Sequence, residues 1–202
     1  MTKLHSIGYA NLKREDFLSA LKHNGITALA DVRSLPYSAR FNEYNKEDFA
    51  SFLKSNGIAY VYLGLELGPR SRDYAHYDHT GQVRFDLLNK TDLFLSGIER
   101  IEQGLKKGFS IAMMCAEKMP ETCHRSLLVS EFLFNEKKIE TSHIHHDASV
   151  ELHSSMRERL VKGLGIQEDI FMSKNEVELQ AVSIFIKKHA YRKSSEPTPA
   201  VQ

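Results

Sequence analysis

The stretch Phe109-Ser-Ile-Ala-Met-Met-Cys-Ala-Glu-Lys-Met-Pro-Glu-Thr-Cys-His-Arg125 decides how the rest of the chain is read. Its first half, Phe109–Cys115, is the most continuously apolar run in the sequence. Such a run, bounded by turn residues, is what a strand buried on both faces requires, so it is placed at the centre of a sheet. The second half turns polar and contains Pro120. Beyond it Leu127, Leu128, Phe132 and Leu133 are spaced like the inner face of a helix over Ser126–Glu136. A buried strand thus feeds a loop holding two cysteines, a histidine and an arginine, and that loop feeds a helix start.

Working outward, the same alternation recurs. Leu4–Gly8 reads as a strand, and Leu12, Phe17, Leu18 and Leu21 as a helix closed by Asn24-Gly25. Ile26–Val32 is a second strand, Phe49, Phe52 and Leu53 mark a helix ending at Asn56-Gly57, and Ile58–Leu63 is a third strand. Leu93, Ile98, Ile101 and Leu105 give a helix up to Gly108, and Glu140–His145 is the last strand. Strand and helix in regular alternation imply a three-layer α/β fold: a parallel sheet of about five strands, with helices on both faces and right-handed crossovers. Val150–Leu164 and Glu176–His189 read as extra C-terminal helices. The expected organisation is an α/β domain over 1–146, a helical extension over 147–190 packed on it, and a flexible tail over 191–202, rich in Pro, Ser and Thr.

Composition bounds the function. At 202 residues and 42% hydrophobic content the chain supports one sizeable core. The 27 basic and 26 acidic residues nearly cancel, so no net field draws in nucleic acid or anionic lipid. No stretch approaches the roughly 18 apolar residues of a membrane span, and a cytoplasmic location is expected. Two cysteines are too few for a disulfide scaffold, so Cys115 and Cys123 are expected as thiols.

Ligands of open parallel sheets bind beyond the C-terminal ends of strands. Here those ends carry Ser6 and Tyr9 on the first strand, Asp31, Arg33 and then Arg40 on the second, and Cys115, Glu117, Cys123, His124 and Arg125 on the fourth. The amides and dipole of a helix start favour an anion and lower the pKa of a nearby thiol, and Arg125 would add a bidentate clamp. Gly64–Phe85 has no periodicity and reads as a substrate lid, with Arg70, Arg72, Tyr74, His76, Tyr77 and His79 available to stack on and clamp a nucleotide. Each candidate also has a plainer reading. Cys115 serves as a small buried hydrophobe, Cys123 and His124 as packing at a helix end, and Asp31 with Arg33 as a structural ion pair. Glu117 serves as a cap or holds Arg125 in place. His143, His145 and His146 suggest a metal, most strongly with His145 joined to Cys123 or His124, but three histidines alone assign none.

The runs Ile7-Gly8-Tyr9, Ala30-Asp31-Val32-Arg33-Ser34-Leu35-Pro36-Tyr37-Ser38, Leu63-Gly64, Leu67-Gly68, Cys115 to Ser126 and His143-Ile144 together resemble the bacterial family known as domain of unknown function 488, over about the first 146 residues. The resemblance implies a Rossmann-like fold and supplies no settled activity. Asp31-Val-Arg33, a cysteine ending a later strand and a following Arg-Ser are loosely similar to rhodanese sulfurtransferases. In those proteins cysteine and arginine flank one anion-wrapping turn, whereas nine residues separate Cys115 from Arg125. No catalytic role is carried over from them.

Three functional expectations follow. The first is a small enzyme acting on a phosphate- or nucleotide-bearing substrate, with Arg33, Arg40, Arg70 and Arg125 gripping charge and Cys115, Glu117, Cys123 or His124 reacting. The second is a non-catalytic nucleotide or nucleic-acid binding module supported by the basic segments Arg157–Lys162 and Lys187–Lys193. The third is thiol-dependent sulfur transfer. The sequence names no cofactor and no oligomeric state.

Overall fold

The computed structural model describes residues 3–147, 149–166 and 171–193. It is a three-layer α/β fold on a six-stranded sheet. In chain order the elements are β1 (Leu4–Gly8), α1 (Arg14–His23), β2 (Ala28–Asp31), α2 (Lys46–Ser55), β3 (Ala59–Tyr62), α3 (Gly64–Leu67), α4 (Phe85–Leu88) and α5 (Asp92–Lys106). There follow β4 (Ile111–Cys115), α6 (Glu131–Lys137), β5 (Ser142–Ile144), β6 (Val150–Leu152), α7 (His153–Leu164) and α8 (Lys174–His189). Among the described residues no helix is long and apolar enough to cross a membrane.

Strand alternation sorts the core into two layers. Ile111, Met113 and Cys115 of β4 face Phe94, Ile98 and Ile101 of α5, Leu133 of α6, Met156 of α7 and Ala181 of α8. Ala112 and Met114 face Phe17 and Leu21 of α1 and Phe49 and Leu53 of α2. Each fully buried large side chain contributes about 1.5–3 kcal/mol, so a strand buried on both faces anchors both layers at once.

The strand order is β3-β2-β4-β1-β5-β6, parallel except for the last pair. Register sets Gly8 beside Cys115 and Asp31 beside Met114, so the C-terminal ends of β1, β2 and β4 share one rim. The chain leaves β1 and β2 toward α1 and α2 on one face, but leaves β4 toward α6 on the other. β4 is therefore the strand whose outgoing loop diverges from those of both neighbours, and such divergence opens a crevice at the strand end.

The C-terminal part departs from expectation. Val150–Leu152, expected as the start of a helix, is a short antiparallel strand on β5, and α7 begins at His153. Three residues are too few for periodicity to tell strand from helix. The helix expected over Ser126–Glu136 opens with wide π-type turns over Arg125–Ser130, where the Ser130 hydroxyl donates to the Arg125 carbonyl, and becomes regular at Glu131. Within the expected tail, Tyr191 and Lys193 are hydrogen-bonded to Val83 and Gly81, and residues 194–202 lie outside the described set.

A chain of buried polar groups ties the C-terminal helices to the sheet. The Glu131 carboxylate, held below its ordinary range by His153 and Arg157 against the cost of burial, can only accept from His153 Nε2 at 2.9 Å. His153 Nδ1 then accepts from His143 Nε2 at 3.0 Å, and His143 Nδ1 from the Ser6 hydroxyl at 2.7 Å. Every link in this chain pairs a donor with an acceptor. Burial, with help from the neighbouring positive groups, holds His143 well below its ordinary value of 6.5. A histidine depressed in the folded state is charged first in the unfolded chain, so it withdraws stability as pH falls below about 6.5. Urea unfolding should show lower stability at pH 5.5 than at pH 7.5, with a slope of at most about 1.4 kcal/mol per pH unit from this group. His143→Gln should flatten that slope, and equal slopes in the two proteins would remove His143 as its source.

Candidate functional site

The crevice at the end of β4 is a cavity of ≈ 400 Å³. Its floor is Cys115, the last residue of β4, together with Cys123 and His124, which follow a tight turn at Pro120–Thr122. His124 Nε2 lies 2.9 Å from the Val32 carbonyl, which can only accept. The ring proton therefore sits on Nε2, and the Nδ1 lone pair is aimed at the two sulfurs. Cys115 Sγ is 3.5 Å and Cys123 Sγ 3.8 Å from that nitrogen. Both cysteines are free thiols.

The two thiols interact as a pair. A hydrogen bond to Cys123 and then burial raise Cys115 well above its ordinary value. Burial would also raise Cys123, but the hydrogen bond from Cys115 and then the Arg125 charge work against it and hold Cys123 well below. The two shifts run in opposite directions, so of the pair Cys123 is the more readily ionised.

The expected site residues divide. Tyr9, Arg33, Arg70, Cys115, Glu117, Cys123 and His124 all line the cavity. Four others do not. Ser6 is fully buried behind the floor against His143. Asp31 is fully buried and accepts from Arg33 Nε and NH2 and from the Tyr60 hydroxyl. Arg40 stacks on the Phe41 ring. Arg125, expected as the anion clamp, is 1% exposed and points inward. It donates to the carbonyls of Glu117 at 2.7 Å and Lys118 at 3.1 Å, and to Ser6 Oγ at 3.3 Å. Glu117 thus meets Arg125 through its backbone carbonyl.

Gly8 makes this inward clamp possible. A Cβ there would lie 1.7 Å from the Glu117 carbonyl oxygen and 3.0 Å from the Arg125 guanidinium. Only a residue without a side chain lets the thiol loop cross the end of β1 so closely.

Charge in the cavity is unevenly available. Arg33 is spent on Asp31, the Tyr44 carbonyl and the Tyr9 hydroxyl. Arg70 is exposed, its guanidinium carbon Cζ lies 4.7 Å from the centroid of the Tyr191 ring, and among the described residues no carboxylate pairs with it. The rest of the expected lid is largely self-bonded, with Ser71 holding His76 and its carbonyl accepting from Tyr77.

Other wall residues were not among the expected site residues. Tyr37 and Ser38 follow β2, and His189 and Tyr191 come from the end of α8, far along the chain from the thiols. The three histidines near β5 do not converge: His143 meets Ser6 and His153, His145 pairs with Glu151, and His146 bonds the Gly8 carbonyl. In the first basic segment Arg157 is buried against Glu131 and Glu178, and Arg159 is paired with Glu121 and Glu151.

A family model described as "Domain of unknown function DUF488" matches residues 13–132. No curated protein and no solved structure matches. The matched segment contains both thiols, His124, Arg33, Arg70 and Arg125, while Tyr9, His189 and Tyr191 lie outside it.

An inward Arg125 makes a distinct prediction. Arg125→Met leaves two part-buried carbonyls without their charged donor, each loss costing about 1–3 kcal/mol, so urea unfolding should report a loss of about 2–6 kcal/mol and proteolysis within 116–124 should accelerate. A ligand clamp would instead leave the stability of the free protein unchanged.

Proposed function

This chain belongs to the family Domain of unknown function DUF488, and from the cavity itself we propose its function: a small enzyme that acts at a Cys115–Cys123–His124 centre on an anionic, phosphate- or nucleotide-bearing substrate. The observation that carries this reading is the convergence of two thiols and an oriented imidazole lone pair on the floor of an open cavity at the divergence of the sheet connections. Packing alone does not require an imidazole held by a carbonyl so that its free nitrogen faces sulfur.

The anionic class of substrate is supported by Arg70, a cation at the cavity wall that pairs with no carboxylate among the described residues. Arg125 supports the centre differently from the expected clamp: its charge favours a thiolate at Cys123 while its hydrogen bonds fix the loop. Nucleotide recognition here would be unlike that of dinucleotide-binding domains. The first strand–helix turn, Gly8–Lys13, lacks their glycine-rich fingerprint, and β4 separates β1 from β2. The nucleic-acid reading loses support because Arg157 and Arg159 are engaged within the molecule.

Thermal melting against inorganic phosphate, pyrophosphate and nucleoside mono-, di- and triphosphates tests the reading. A ligand at a hundred times its Kd should stabilise the wild type by about 2.7 kcal/mol, a shift of several degrees. Arg70→Ala, which removes an exposed side chain, should keep the unliganded melting point and weaken the response about tenfold or more. A wild type indifferent to the whole panel would sink the anionic substrate.

A further inference from the structure

We propose that Cys115, Cys123 and His124 bind a thiophilic divalent transition-metal ion of the zinc class, with one coordination position left open to the cavity for water or a substrate oxygen. The proposal rests on the reading of this cavity as a reaction centre and gives that centre its chemistry.

The first argument is distance. In a tetrahedral zinc site a sulfur at roughly 2.3 Å and a nitrogen at roughly 2.0 Å from the ion lie about 3.5 Å apart. The two sulfur-to-Nδ1 distances are 3.5 and 3.8 Å, and all three donor atoms lie within 4.8 Å of one another. All three donors are therefore within reach of one ion.

Orientation is the second. The Val32 carbonyl holds His124 by Nε2–H, which fixes the tautomer that leaves Nδ1 free to ligate. A backbone carbonyl on the remote ring nitrogen is the usual outer support of a metal-bound histidine.

Donor chemistry is the third. Two sulfurs and an imidazole suit zinc and similar borderline-soft ions, and disfavour magnesium or calcium, which demand oxygen. As the ion binds, two metal–sulfur bonds replace the thiol protons, which pass to solvent, and the ion's two positive charges are neutralised.

Rigidity and openness complete the case. Cys115 is fixed by the central strand, and the Cys123–His124 segment by Arg125, which ties its loop back to β1 through Ser6. Among the described residues the group offers three donors rather than four. Three protein ligands and a vacant fourth position distinguish a catalytic zinc site from a closed structural one.

Cobalt substitution of the full-length protein tests this. After treatment with a chelator, titration with Co²⁺ should give thiolate-to-cobalt absorption in the near ultraviolet, saturating at about one ion per chain, and Zn²⁺ should bleach it. Cys115→Ser, Cys123→Ser and His124→Asn should each weaken binding by about tenfold or more. His145→Gln, outside the group, should not change it. Because a polar replacement on the buried floor can unfold the chain, a second arm uses the wild type alone: Zn²⁺ should protect both thiols from a dithiodipyridine reagent, and chelator should restore their reaction. No cobalt–sulfur absorption in the folded wild type, or thiols that react equally with and without Zn²⁺, overturns the metal. If Cys123→Ser still abolishes the phosphate or nucleotide shift in melting, the thiol centre survives that loss. If Co²⁺ binds at these residues and no anion shifts the melting point, the metal stands and the substrate class falls.

Discussion

A single guanidinium, fully enclosed, holds the site together. Arg125 reaches back from the start of the wide turns after the thiol loop and donates to the carbonyls of Glu117 and Lys118 and to Ser6. Without those bonds the loop between Cys115 and Cys123 has two part-buried carbonyls that lose their charged donor, and an unmade hydrogen bond there costs more than a made one contributes. With them the loop has one position. It lies close over the end of β1, where Gly8 alone leaves room, and it returns Cys123 to Cys115 although seven residues separate them. The positive charge needed to hold the loop also lies near the sulfurs, so one side chain serves shape and electrostatics together.

Much of the fold was legible from periodicity because its strands are buried on both faces and its turns are marked by glycines. Gly25, Gly57 and Gly108 all adopt positive φ, where a side chain would be strained, and each closes a helix that the apolar spacing had already outlined. The central place of β4 follows from its unbroken apolar run. Reading failed where elements were short or polar inside. Val150–Leu152 is a three-residue strand that carries no period, and the turns at Arg125–Ser130 bury Arg125, Ser126 and Ser130, which no hydrophobic pattern anticipates.

Legibility of the site had a different limit. The loop Cys115–Arg125 was identifiable from residue types alone, and so was the rim on which Tyr9 and Arg33 join it. Side-chain direction was not. Arginine beside a thiol reads equally well as an anion clamp or as an internal brace, and only the position of the Glu117 and Lys118 carbonyls decides for the brace. The same holds for the histidines after β5. Alternation brings three of them into sequence proximity, but Ser6, Glu151 and the Gly8 carbonyl draw their rings apart.

The wall of the cavity has a divided origin. Its floor and its free cation lie within the matched segment 13–132, while His189 and Tyr191 come from the last described turns of the chain, pinned there by backbone bonds to Gly81 and Val83. Under the proposed function, reactivity would be encoded in one stretch of polypeptide and selectivity in another. A protein that kept the floor but exchanged that last described helix would then keep the chemistry and admit a different molecule to it.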